Sequence, residues 1–284
     1  MKHLNKLVLL FVFSLFLALP AVAQADNFVV VKDLEGVRCH SMLFGPGMNA
    51  AHIFETPNKL VIMDTAGTIP QATALRAYAE SLGKPIERVV LSHAHGHHVL
   101  GAYVFKDLPI YALAETIEQI KAEGPTMVAE DKQRPGGEGV PDVATVPQHV
   151  LKEGQERIDG VLFNWMNIPI GMPICFADLP EAGALVTHHM VYNGMHAFLS
   201  PVMEPWKAGL KKFQSMGRKW IMAAHGIPAG PEVWEKQLKY IATAENIIAA
   251  APTLELAAAG IANSYPSYGA AFLLGASLPP YYAK

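Results

Sequence analysis

Ser92-His93-Ala94-His95-Gly96-His97-His98 is the stretch that decides how this chain is read. The run Arg88–Leu91 before it predicts a buried strand that ends where the histidines begin. A strand end is a rigid platform, so imidazoles on the loop that follows can converge on one point. Alternate residues of an extended segment share a direction, which predicts a common orientation for His93, His95 and His97, with His98 opening the next turn. Neutral imidazole is the commonest protein ligand for zinc and similar ions. Four imidazoles within six residues therefore predict a metal site rather than a solvated polar loop.

Working upstream, short β-rich runs occur at Phe28–Val31, Val37–Phe44, Ala51–Phe54 and Lys59–Met63, separated by turn signals such as Gly45-Pro46-Gly47. A helix is predicted from Pro70 to Leu82, with Thr68 as N-cap and Gly83 past its end. Downstream, a short helix is expected around Val99–Phe105, a strand at Ile110–Ala112 and a helix at Ala114–Ala122. Residues 124–142 read as a loop-rich insertion because of their Gly-Pro and Gly-Gly signals. Strands recur at Val161–Trp165, Ile174–Ala177 and Ala184–Val186, and helices at Trp206–Met216 and Glu232–Ala250. This order predicts an α/β fold of two packed sheets with helices outside, in one domain spanning residues 26–284. The C-terminal helices end in an aromatic tail carrying Tyr265, Tyr268, Phe272, Tyr281 and Tyr282, which packs over a core edge, the pocket or a subunit contact.

The chain has 284 residues, 51% of them hydrophobic and 17% charged, with a net charge of −3; this excludes disorder and a basic nucleic-acid-binding surface. Residues 1–25 have the basic start, short apolar centre and small-residue ending of a secretory signal peptide, with cleavage near Ala25. The expectation is a periplasmic or secreted protein with no stable membrane anchor after cleavage and a small-molecule substrate as its partner. Nothing in the sequence specifies an oligomeric state. Cys39 and Cys175 read as two buried thiols, with a disulfide between them the alternative in an oxidising compartment.

The histidine cluster resembles the H-x-H-x-D-H signature of the metallo-β-lactamase superfamily. Val61-Ile62-Met63-Asp64-Thr65 resembles the family's strand-and-Asp segment, Ala184–Asn193 the strand that ends in Gly-Asp, and Ala224-His225-Gly226 the final Gly-His-Gly. The resemblance implies a four-layer αβ/βα sandwich, one or two zinc ions and hydrolytic activity. On it, His93, His95, His98 and His225 occupy retained ligand positions. His97 and His189 stand where the family has Asp, His188 where it has Gly, and Met172 nearest the third histidine of the first metal site.

Those replacements carry a physical consequence. Two divalent ions about 3.5 Å apart repel by roughly 19 kcal/mol at an effective dielectric of 20, and carboxylates with a bridging hydroxide normally offset this. With both Asp positions taken by His, two negative charges are missing. The expectation is one ion, zinc by resemblance with copper as an alternative, held by His97, His98, His189 and His225. His93 and His95 form a second, weaker set.

Four bound imidazoles close a tetrahedron, whereas a catalytic zinc keeps a position open. Activity therefore requires His97 or His189 to stay off the metal and act as a neutral base. Asp64 reads either as a turn cap or as an acceptor that fixes a ligand's tautomer. Met172 reads as a core filler or as a thioether ligand suited to copper(I). His188 is expected to face away, because neighbours on a strand point to opposite sides. Asn193 and His196 are candidate substrate contacts by resemblance, with turn capping an equal account of Asn193. Three functions stay open: an exported metal-dependent hydrolase of an ester, amide or related bond, a non-catalytic periplasmic metal binder, and a metal-free fold used for protein contact.

Overall fold

The computed structural model describes residues 27–168, 171–199, 201 and 203–283, so the expected leader lies outside the described residues. The first half of the chain builds β1 (Asn27–Leu34), β2 (Val37–Phe44), β3 (Asn49–Glu55), β4 (Leu60–Met63), α1 (Ile69–Ser81), β5 (Ile86–Val90), α2 (Gly96–Val99), β6 (Ile110–Ala112), α3 (Ala114–Lys132) and β7 (His149–Val150). The second half adds β8 (Gly154–Ile158), β9 (Val161–Asn167), β10 (Cys175–Leu179), β11 (Ala184–Tyr192), α4 (Met203–Ser215), β12 (Trp220–His225), α5 (Glu232–Ala250), α6 (Leu254–Ser264), α7 (Phe272–Ser277) and α8 (Pro279–Tyr282).

Strands β1–β7 form one sheet and β8–β12 the other, and the two join through β3 and β12 at the register pair His225–Asn49. Between the sheets lies a dry layer in which Phe54, Val61, Met63 and Val90 face Phe163, Trp165, Val186 and Met222. Outside the first sheet, α1 and α3 bury Leu75, Ala79, Ile117 and Ile120 against Ile53, Ile62 and Val89. Outside the second, α4 and α5 bury Trp206, Phe213, Trp234 and Tyr240 against Leu185, Val191 and Ile221. The result is the expected αβ/βα sandwich. Each sheet buries both faces, which is why β4, β11 and β12 read as nearly continuous apolar runs.

Thr68 caps α1 as expected, its side chain accepting from the Gln71 amide. Residues 124–142 need correction, because α3 runs through Gly124-Pro125 to Lys132. Its buried positions Thr116, Ile120, Gly124, Val128 and Asp131 keep the helical period across the proline. Packing of Val128 with Leu100 and Val140 repays the one backbone bond that Pro125 cannot make. The expected helix at 99–105 is a 3-10 segment, Leu100–Phe105, preceded by α2, which starts within the histidine cluster. Cys39 and Cys175 are both buried and both free, so there is no disulfide between them. The aromatic tail packs on the α4–α5 side, with Tyr265, Tyr268, Tyr281 and Tyr282 against that core. No helix among the described residues is long and apolar enough to cross a membrane.

Candidate metal centre

The segments after β4 and β5 and the ends of β11 and β12 meet at one edge of the sandwich, and each brings polar side chains to it. Asp64 follows β4 in a left-handed conformation, φ 64°, and its buried carboxylate accepts from the Ser92 amide at 2.9 Å and the Ser92 hydroxyl at 2.8 Å. Thr65 donates through its amide and hydroxyl to the His98 carbonyl, at 2.8 and 3.1 Å. Gly67 lies so near that a Cβ there would sit 2.8 Å from His97 Cα. The turn after β4 is therefore the floor on which the histidine loop is built.

His95 occupies the N-cap position of α2, and His97 and His98 lie on its single turn rather than on an extended strand. The expected common direction of His93, His95 and His97 is thus replaced by a helical one. The rings still converge, with centroids 4.6 Å apart for His93 and His95 and 4.3 Å for His97 and His98. On the facing wall, the pairing of β11 with β12 slips at Val186/His188, and His188 takes a left-handed φ of 42°. This irregularity breaks strand alternation. Contrary to expectation, His188 is buried in the site, its Nδ1 3.4 Å from Asp64 Oδ2, while its neighbour His189 reaches the same cluster. The readable signal was the resemblance itself, because His188 stands where the resembled signature has Gly, the residue that most readily takes a positive φ.

Three donor groups result, each with ligand atoms within 4.8 Å of one another: His97, His98, His189 and His225; His93, His95 and His189; and Asp64, His93 and His188. The chain prepares these imidazoles for a cation. The His225 Nδ1–H donates to the Gly47 carbonyl at 2.8 Å, which leaves the lone pair on Nε2, and Tyr192 stacks on the ring at 4.9 Å. Because the Ser92 hydroxyl donates to Asp64, its oxygen accepts Nδ1–H of His93 at 2.7 Å; His93 Nε2 is then buried without a partner. His98 Nδ1 lies 3.2 Å from Asp64 Oδ2 but off hydrogen-bond alignment, and both its ring nitrogens are buried without partners. His189 Nδ1 meets the Tyr192 hydroxyl at 2.8 Å, and its Nε2 is 3.4 Å from His95 Nδ1. Buried nitrogens with no protein partner are what a bound divalent ion satisfies, so the residues present fit one.

The electrostatics agree. Burial first, and then neighbouring imidazoles, push His93, His97 and His189 far below the ordinary histidine value, with His95 brought to about 4 and His225 to about 3. These rings are neutral near pH 7, the state that donates a lone pair. Burial alone would raise Asp64, yet the His188 and His98 imidazoles outweigh it and hold the carboxylate well below its usual range. His93 and His98 are buried, whereas His95, His97 and His189 are half-buried.

Of the remaining candidates, Asn193 adjoins the site, whereas His196 and Met172 lie outside the three groups. Asn193 donates from its amide side chain to the Ile227 carbonyl at 3.0 Å and from its backbone to the His225 carbonyl at 3.0 Å, so it braces the turn. His196 is buried against Tyr240, its Nδ1 3.1 Å from the phenol oxygen, and joins none of the three groups. Met172 is half-buried and packs against the α4–α5 core.

The profile of the Metallo-beta-lactamase superfamily matches residues 44–171. Among solved structures, a metallo-beta-lactamase family protein of Thermus thermophilus superposes with a TM-score of 0.62 at 14% identity, covering 90% of this chain and 91% of that one. The metallo-beta-lactamase FIM-1 of Pseudomonas aeruginosa in its mono-zinc form gives 0.55 at 18% identity, over 76% of this chain and 96% of that one. A stereoselective inverting sec-alkylsulfatase of Pseudomonas sp. gives 0.56 at 21% identity over 83% of this chain, which spans 45% of that protein. No curated protein matches the sequence significantly.

Proposed function

Because the chain belongs to the metallo-β-lactamase-fold superfamily of metal-dependent hydrolases, we propose that it is an exported hydrolase using one zinc ion in the group His97, His98, His189 and His225 to cleave an ester, amide or related bond of a small molecule. The observation that carries this reading is the convergence of four imidazoles, two of them half-buried, with His97, His189 and His225 kept neutral near pH 7 by burial. A zinc ion there supplies Lewis acidity and lowers the pKa of water toward neutrality.

The chain's own residues divide the work. His98 and His225 are the buried anchors: Asp64 Oδ2 lies 3.2 Å from His98 Nδ1, and the Gly47 carbonyl orients His225 through its Nδ1–H. His97 and His189 are half-buried and neutral, so either can leave the fourth position open and accept a proton from water beside the scissile bond. His189 has the better relay, since its Nδ1 reaches the Tyr192 hydroxyl. The expected outcome is that His97→Ala or His189→Ala abolishes turnover with metal content nearly intact, whereas His225→Ala loses the metal. Loss of metal in both of the first two variants refutes the base role.

A second reading has an observation of its own. The four-imidazole group holds no carboxylate, and four imidazoles bound together would leave a zinc no open position, as a non-catalytic zinc or copper binder would require. Elemental analysis with a hydrolysis screen, with and without chelator, separates the two. Metal with chelator-sensitive turnover supports the hydrolase, and metal without turnover supports the binder. Export rests on residues 1–25 and is tested by N-terminal sequencing of the mature protein, expected to begin after Ala25.

A further inference from the structure

The three donor groups overlap in a way that limits how they can be filled. The four-imidazole group and the His93, His95, His189 group share His189; the latter and the Asp64, His93, His188 group share His93. A carboxylate has two oxygens and can bridge two ions, but a neutral imidazole has one lone pair and serves one ion at a time. With His at position 189, the first two groups cannot both be complete. Only the four-imidazole group and the inner group, Asp64, His93 and His188, have no residue in common.

We propose that the inner group is a second, structural cation site: Asp64, His93 and His188 hold a divalent first-row ion behind the pocket, separate from the hydrolytic ion. Four observations point there. Asp64, His93 and His188 are all at most 1% exposed, so nothing but the protein or an ion reaches them. His93 Nε2, the nitrogen that Ser92 leaves with the lone pair, is buried without a partner. The His188 Nδ1 to Asp64 Oδ2 separation of 3.4 Å matches the edge of roughly 3.4 Å expected between N and O ligands of a tetrahedral zinc with bonds near 2.1 Å. Finally, the inner group has the only carboxylate in the three groups, so it is where a second positive ion meets a compensating charge. The left-handed His188 fits the same account, because that backbone strain is what places its imidazole behind the pocket instead of on the outer face of β11.

This inference goes beyond the hydrolase reading and rests on one part of it, that the four-imidazole group holds the other ion. The test is titration of the metal-depleted full-length mature chain with zinc(II) against a chromophoric chelator, with stoichiometry from elemental analysis. The wild type is expected to take two equivalents, His225→Ala one, and His188→Gly one. Glycine accepts the left-handed backbone without strain, so His188→Gly keeps the fold, as circular dichroism checks. An anomalous difference map of zinc-loaded His225→Ala crystals, expected to show a peak between Asp64, His93 and His188, does not depend on that variant. One equivalent in the wild type that His188→Gly leaves in place, two in His188→Gly, or no peak at that position overturns the proposal. A His225→Ala protein still holding both ions instead counts against the four-imidazole group and leaves the inner site standing.

Discussion

Gly96→Ala tests whether the packing of α3 sets the position of the histidine turn. A Cβ at Gly96 would lie 1.8 Å from Asp131 Oδ2, 2.8 Å from its Cγ and 3.1 Å from Leu100 Cδ1. Asp131 has little room to move, being 8% exposed with its carboxylate 2.5 Å from Arg134 Nη1. Restoring an ordinary carbon–oxygen contact requires about 1.6 Å of relative displacement, taken either by α2 against α3 or by Asp131 leaving Arg134. Overpacking of this kind costs about 2 kcal/mol, or about 4–8 °C of melting temperature for a domain of this size. Metal geometry is less forgiving, because ligand distances hold to roughly 0.2 Å, and α2 carries both His97 and His98. The expected outcome, by thermal melting and zinc titration, is a lowered melting temperature with zinc affinity down at least about tenfold. Adding Asp131→Ala removes the obstructing carboxylate and should restore most of both. A Gly96→Ala protein that melts within about 1 °C of wild type and binds zinc as tightly would refute the reasoning, as would failure of Asp131→Ala to rescue it.

Other expectations follow from the same geometry. Arg218 holds buried Asp178 through contacts of 2.6 and 3.1 Å, so Arg218→Met strands the carboxylate and should cost about 2–3 kcal/mol in urea unfolding, discounted because the arginine is partly exposed; an unchanged midpoint argues against the pairing. The metal-free protein should lose stability as pH falls below about 6.5, the unfolded histidine value, because His52 and His225 are held down to about 3 and His95 to about 4 by burial first and neighbouring charges second. Here the unfolded chain binds protons that the native chain refuses, so stability rises with pH across this window; denaturation curves that coincide at pH 7 and 4.5 would contradict it. Asp159, brought to about 2 by hydrogen bonds from Asn58 and Thr56, has the same sign at lower pH: its contribution is present above about 4 and is lost as pH falls toward 2. Asp159→Asn should flatten that part of the acid melting profile.

Much of the scaffold is legible because it rests on local patterns. β2, β6 and α5 have the bounds their sequence predicts, and the turn before α1 follows from the capping chemistry of Thr68. Elements without a local signature escape such a reading. β8, Gly-Gln-Glu-Arg-Ile, is a polar edge strand defined by its pairing with β9. β12 is a buried parallel strand whose apolar run could equally have been helix. α3 is longer than its sequence suggests because Gly124-Pro125 is a strong local stop, and only the contacts of Val128 beyond it show why the helix continues.

The site divides along the same line. By itself, the sequence determined that His93, His95, His97, His98, His189 and His225 are imidazoles in the order and spacing of one superfamily, with both family Asp positions lost. The tertiary structure alone decided how these residues divide into three overlapping donor groups and that His188 belongs to one of them. It also decided that Asp64 stands beside His98 and His188, that Asn193 bonds the Ile227 carbonyl and that His196 meets the Tyr240 hydroxyl. The reason is geometric: strand alternation predicts where a side chain points only while the pairing is regular. The slipped register and left-handed turn at His188 arise from contacts between β11 and β12, which are 35 residues apart at their Thr187–Met222 bond and invisible to any local window.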